Sequence, residues 1–252
     1  MYKRRIRGLI WLFGGLILYG LGIAAMAEAA LGLSPWDVLS QGSSRATGLS
    51  FGLMNNIIGV VVLLVWIPLK QRIGLGTIAT VIVVGPSIDL GLRLIPHPAH
   101  LVWQILVFII GLLVMASATG IYLAPKFGPG PRDGLMTGLR ARTHRPIWAI
   151  RGCIEITVLV IGFLLGGQVG FGTLGVALCI GPLLNRSLPL FEQLYDRGGV
   201  RMALEVRAEP EVRAEPETRA EPEEQANKHS ERQEQAGPHD QADPEEQTHL
   251  DE

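Results

Sequence analysis

Two short acidic motifs carry the residue types most able to do chemistry in this chain, Gly32-Leu-Ser-Pro-Trp-Asp37 and Gly128-Pro-Gly-Pro-Arg-Asp133-Gly134. Pro suits the first turn of a helix, where its missing N–H would be unpaired in any case. The Asp two residues later then sits at the positive end of the helix dipole. Each Asp therefore reads as a helix-start anchor, the more economical interpretation. The second reading, behind the first, is a ligand for a cation, a proton or a cationic substrate if the inverted symmetry brings both carboxylates toward one cavity. A second pair is Gly74-Leu-Gly-Thr77 with Gly85-Pro86, and Gly170-Phe-Gly-Thr173 with Gly181-Pro182. Thr77 and Thr173 are placed to cap the helices that follow. Each Gly-Pro is expected to break its helix, because Pro lacks the N–H that would bond four residues back. Asp89 and Asn185 lie one turn beyond the breaks. Paired broken helices mark transporter binding sites, and close packing through small residues is the alternative. A third group is Asn55, Arg151 and Glu155, where Arg151 and Glu155 have the i,i+4 spacing of a helical ion pair. A proton-handling Glu155 is the bolder reading.

These residues belong to a repeat. At an offset of 96, Gly32, Pro35 and Asp37 fall on Gly128, Pro131 and Asp133, and Gly74, Gly76, Thr77, Gly85 and Pro86 fall on Gly170, Gly172, Thr173, Gly181 and Pro182. Asp89 falls on Asn185, and Asn55 on Arg151. Chance alignment of apolar stretches would pair Leu with Leu, whereas these matches are helix breakers, a Thr and a carboxylate. The chain reads as a duplicated unit.

Six apolar segments must position the motifs: Leu9 to Ala27, Phe51 to Leu69, Leu75 to Leu94, Leu101 to Leu123, Ile147 to Leu165 and Phe171 to Leu190. Each is close to the about 20 residues that cross a bilayer as a helix. The third carries Pro86, Asp89 and Arg93, which leaves a five-span reading open. The first follows Lys3, Arg4, Arg5 and Arg7 and has signal-like character, but its repeat mate is internal, so it is expected to be retained. Lys and Arg alternate between rich and poor connecting segments, which predicts cytoplasmic termini. Three spans per copy is odd, so the copies are expected to be inverted, with Asp37 outside and Asp133 inside. The expected fold is an all-α membrane protein of six transmembrane helices in two inverted three-helix repeats, residues 9–94 and 101–190, with interfacial or re-entrant helices after the first and fourth spans.

The 48% hydrophobic content is an average over unlike regions. Residues 200–252 hold six Lys/Arg against sixteen Asp/Glu, leaving sixteen against seven in the membrane domain of residues 1–199. The body's basic charges cluster between apolar runs rather than on a polar face, which argues against nucleic acid. The tail contains Arg-Ala-Glu-Pro-Glu in tandem and has too little apolar surface to order itself. It is expected to be a disordered cytoplasmic segment, with docking of a cytoplasmic partner conceivable. Cys153 and Cys179 lie in apolar runs and suggest no disulfide framework. The histidines lack metal-site spacing, and neither a phosphate loop nor a nucleophile elbow occurs. No cofactor, metal or enzymatic activity is therefore expected.

The ordered motifs Leu-Gly-Leu-Ser-Pro-Trp-Asp, Gly-Leu-Gly-Thr, Gly-Pro-Arg-Asp-Gly-Leu and Gly-Phe-Gly-Thr resemble the YczE-like (YczE/YyaS/YitT) family of bacterial integral membrane proteins, over about residues 8–190. That resemblance implies an inner-membrane location and fixes neither substrate nor reaction. The functional expectation is movement of a small solute or ion past Asp37, Asp133, Asp89 and Asn185. The alternative is a membrane scaffold or accessory subunit without a pathway. A membrane enzyme ranks third.

Overall fold

The computed structural model describes residues 2–71 and 73–208. Eight helices follow in order: α1 (Tyr2–Glu28), α2 (Pro35–Thr47), α3 (Phe51–Leu69), α4 (Leu75–Leu94), α5 (Leu101–Leu123), α6 (Pro131–Thr143), α7 (Ile147–Leu164) and α8 (Phe171–Ala208). No strand occurs among the described residues. Residues 1–204 form one compact unit. Residues 209–252, with nearly all of the expected acidic tail and any partner it recruits, lie outside the described residues.

Among the described residues, five of these helices are long and apolar enough to cross a membrane: α1 from Arg5, α3, α4, α5, and α8 through Gly198. Large apolar side chains such as Ile10, Leu64, Ile82, Val102, Phe163 and Leu178 are left outside the packed interior. In water such a surface would be a severe liability. In a bilayer it is the lipid-facing side. The chain is an all-helical integral membrane protein.

α1 runs through the middle, packed against α5 on one side and α4 on the other. Leu12, Leu16, Ile23 and Met26 of α1 join Ile88 of α4 and Leu112 of α5 in the main core. A second cluster joins Trp36 of α2, Val62 and Trp66 of α3, and Val158 of α7.

The sequence repeat reappears as geometry. α2 and α6 start at Pro35 and Pro131, α3 and α7 at Phe51 and Ile147, and α4 and α8 at Leu75 and Phe171, each pair 96 positions apart. Gly32 and Gly128, which open the turns before α2 and α6, have φ of 123° and 129°, a backbone region that only Gly enters freely. Contacts recur reciprocally. Gly76 N–H donates to the Phe127 carbonyl at 3.0 Å, and Gly172 N–H donates to the Leu31 carbonyl at 2.8 Å. Those are the same two repeat positions with the copies exchanged. Likewise, a Cβ on Gly15 would lie 2.7 Å from the Tyr122 backbone, while one on Gly111 would meet Met26, the repeat mate of Tyr122. Bulkier residues at either position would force α1 and α5 apart.

The expected breaks at Gly-Pro are not expressed: α4 continues through Pro86, and α8 through Pro182 and Pro189. In α4 the disturbance is absorbed by side chains. Gly85 N–H donates to Asn56 Oδ1 at 3.0 Å, and the Ser87 hydroxyl donates to the Val83 carbonyl at 2.8 Å. A helix can carry an internal Pro when neighbours satisfy its displaced groups.

Candidate functional site: a central charged cavity

A cavity of about 320 Å³ lies inside the bundle, and all eight helices contribute to its wall. Its lining is largely apolar, with Tyr19, Val84, Met115, Tyr122, Val176 and Ile180 among the contributors. Set into that wall are Asn55, Arg132, Asp133, Arg151 and Glu155. An apolar hollow with a few convergent polar groups is the usual form of a small-molecule site.

The short helices α2 and α6 build the charged part. Pro35 and Pro131 occupy their first turns, so each helix starts sharply, with its Asp in that turn. Asp37 is fully buried and accepts a hydrogen bond from the hydroxyl of Ser34, the residue that caps α2. Arg132, at the start of α6, reaches across to Asp37 Oδ1 at 3.0 Å and to Asn55 Oδ1 at 2.9 Å. Its guanidinium carbon also lies 5.5 Å from the centre of the Trp36 ring. Asp37 of the first motif and Arg132 of the second thus meet inside the bundle. Both α2 and α6 bring residues of their first turns to the cavity wall.

Arg151 and Glu155 of α7 form the expected ion pair, Nε to Oε1 at 2.7 Å, and both line the cavity. Asp133 differs from the other acids. It lines the cavity, retains accessible surface and has no hydrogen bond or ion pair among the described residues.

Of the candidate residues read from sequence, Asn55, Asp133, Arg151 and Glu155 line the cavity, and Asp37 lies directly behind Arg132. Four others are elsewhere. Asp89 accepts from Ser50 Oγ at 2.6 Å and from Gly52 N–H at 2.8 Å, so it anchors the start of α3. It borders a second, more open hollow with Asn56 and Arg93. Asn185 is exposed on α8. Thr77 is fully buried, accepts from Gly74 N–H at 3.4 Å and donates to the Pro129 carbonyl at 2.8 Å. Thr173 accepts from Gly170 N–H at 3.3 Å. Both threonines hold helix starts.

Sequence reasoning passed over Arg132, Tyr19 and Tyr122. Arg132 had a visible signal: it is the repeat mate of Trp36, so an aromatic side chain in one copy is replaced by a cation in the other. The two now stack on one another. The tyrosines have methionine mates, Met115 and Met26, and gave no polar signal inside long apolar runs. Their rings meet edge to face, 6.0 Å between centres.

Comparison with known proteins agrees with this picture of a membrane protein. Residues 6–188 match the model of a family of unknown function, DUF6198. A Haemophilus influenzae protein described as uncharacterized is 38% identical over 179 residues, covering 71% of this chain and 82% of its own. Two Bacillus subtilis proteins also match. The uncharacterized membrane protein YczE is 30% identical over 79% of this chain and 93% of its own, and YyaS is 32% identical over 71% and 91%. No solved structure matches. With the match spanning most of its length, the chain belongs to DUF6198, the YczE-like family of membrane proteins.

Proposed function

We propose that this protein is a transporter of the bacterial inner membrane, moving a small solute or ion through the central cavity between two inverted repeats. The observation that carries the reading is the cavity itself, lined from all eight helices and holding the charged side chains of Arg132, Asp133, Arg151 and Glu155. A bundle that only needed to pack would fill such a space with side chains, because charged groups inside a membrane are costly.

The six-span arrangement counts α7 with the five helices already described. Its 18 residues rise about 27 Å, close to the hydrocarbon thickness of about 30 Å. Arg151 and Glu155, the charges that lower its apolar character, neutralise each other. In this arrangement α2 and α6 are re-entrant, and both termini are cytoplasmic by the distribution of Lys and Arg. The reciprocal contacts at Gly76 and Gly172 support a two-fold relation between copies, since exchange of partners is what such an axis produces.

The copies are not in the same state. Near the start of α3 the first copy is shut: a Cβ on Gly52 would lie 2.0 Å from the Gly85 carbonyl oxygen of α4. At the matching height of the second copy, a Cβ on Gly152 or Gly181 would meet nothing within 4 Å. With inverted topology these two places lie toward opposite membrane faces. Closing α7 on α8 while parting α3 from α4 would turn the cavity to the other side, the exchange expected of inverted repeats.

The test is flux across proteoliposomes over a broad solute screen, comparing the natural chain with Arg132→Ala and Glu155→Gln. Solute movement that both variants abolish, with each still folded, is the expected result. No flux and no ligand binding for any solute would end the transport reading and leave a packing role.

A further inference from the structure

We propose that Asp133 is the proton-binding residue of the cavity, so that the coupling ion of this protein is H⁺. The inference deepens the transport reading, but proton binding itself does not require that reading to hold. It follows from an inventory of the acids. Asp37 is locked by Arg132 and Ser34. Glu155 is held by Arg151 at 2.7 Å. Asp89 is taken up by Ser50 and Gly52 at the start of α3, outside the cavity. Asp133 alone combines an unpartnered carboxylate, among the described residues, with a place on the cavity wall where a proton can arrive.

The groups facing it come from several elements. Tyr19 on α1, Asp37 on α2, Tyr122 on α5, its neighbour Arg132 on α6, and Arg151 with Glu155 on α7 are the titratable or charged residues in or directly behind the wall. Both arginines attract the Asp133 carboxylate, yet each already has a carboxylate partner. A proton on Asp133 therefore leaves two closed ion pairs. Loss of that proton puts three carboxylates in competition for two guanidiniums. Re-pairing of Arg151 toward Asp133 would draw α7 toward α6, on the side where the second copy stands open.

The test needs no identified solute. The full chain in lipid nanodiscs is titrated while the C=O stretching band of protonated carboxyls is followed by infrared difference spectroscopy. A carboxyl band that titrates with pH is expected. Asp133→Asn should remove it, Asp133→Glu should retain a shifted band, and Asp89→Asn should leave it unchanged. Thermal unfolding of each variant shows that the fold is kept. A band that persists in folded Asp133→Asn, or the absence of any such band, overturns the proposal. A midpoint that moves with Na⁺ or K⁺ concentration assigns the site to a metal cation instead and also overturns it. Flux without a titrating Asp133 would sink the proton site and leave transport standing; a titrating Asp133 without flux would do the reverse.

Discussion

The two copies of the repeat share their turns and caps but not their interiors. Gly32 and Gly128 take the same unusual φ, and the Thr77 and Thr173 hydroxyls accept from equivalent N–H groups. Inside, the first copy contributes Trp36, Asn55 and a sealed Asp37, whereas the second contributes Arg132, Arg151, Glu155 and a free-standing Asp133. The first copy's α3 and α4 are in close contact where the second copy's α7 and α8 are not. Duplication thus kept what shapes the backbone and let the cavity wall diverge. The second copy carries most of the charge, and the first receives it.

The sharpest way to break this comparison is to remove the receiver. Asp37→Asn leaves Arg132 buried without its carboxylate, and loss of one partner of a buried pair costs about 3–5 kcal/mol. Thermal or denaturant unfolding in nanodiscs should show that loss. A change under about 1 kcal/mol would mean that Arg132 is not committed to Asp37. Next in size is Gly85→Ala, which forces a methyl against the Gly52 carbonyl and the Asn56 side chain and should cost about 1–3 kcal/mol by overpacking. Its counterpart in the open copy, Gly181→Ala, should stay within about 0.5 kcal/mol, because the added methyl meets no neighbour. Equal tolerance at the two glycines would erase the distinction between a shut and an open copy.

Where the copies are alike, their responses should match. Thr77→Ala and Thr173→Ala should each cost about 1 kcal/mol, the usual value of a helix-start hydrogen bond. Thr77 should be the more sensitive, since it also donates to Pro129.

Legibility followed the range of the interactions. The starts of α2, α3, α4, α6, α7 and α8 were readable because Pro, Ser, Gly and Thr act within a turn of where they stand. The Arg151–Glu155 pair was readable for the same reason. Continuity through Pro86 was not, since it depends on Asn56 from a different helix. Asp89 looked like an intramembrane acid and proved to be the anchor of α3, a partner 37 residues away in the chain.

The sequence by itself determined the duplication, the apolar helices with their lipid-facing surface, and the sites of helix initiation, all consequences of local backbone chemistry and hydropathy. Only the tertiary structure decided that the first turns of α2 and α6 line one cavity, that Arg132 crosses between copies to Asp37, and that Asp133 is left alone on the cavity wall. Those outcomes depend on contacts between residues about 95 positions apart. Such pairings arise only when two similar units pack together, and nothing in either unit's local sequence records its partner's orientation.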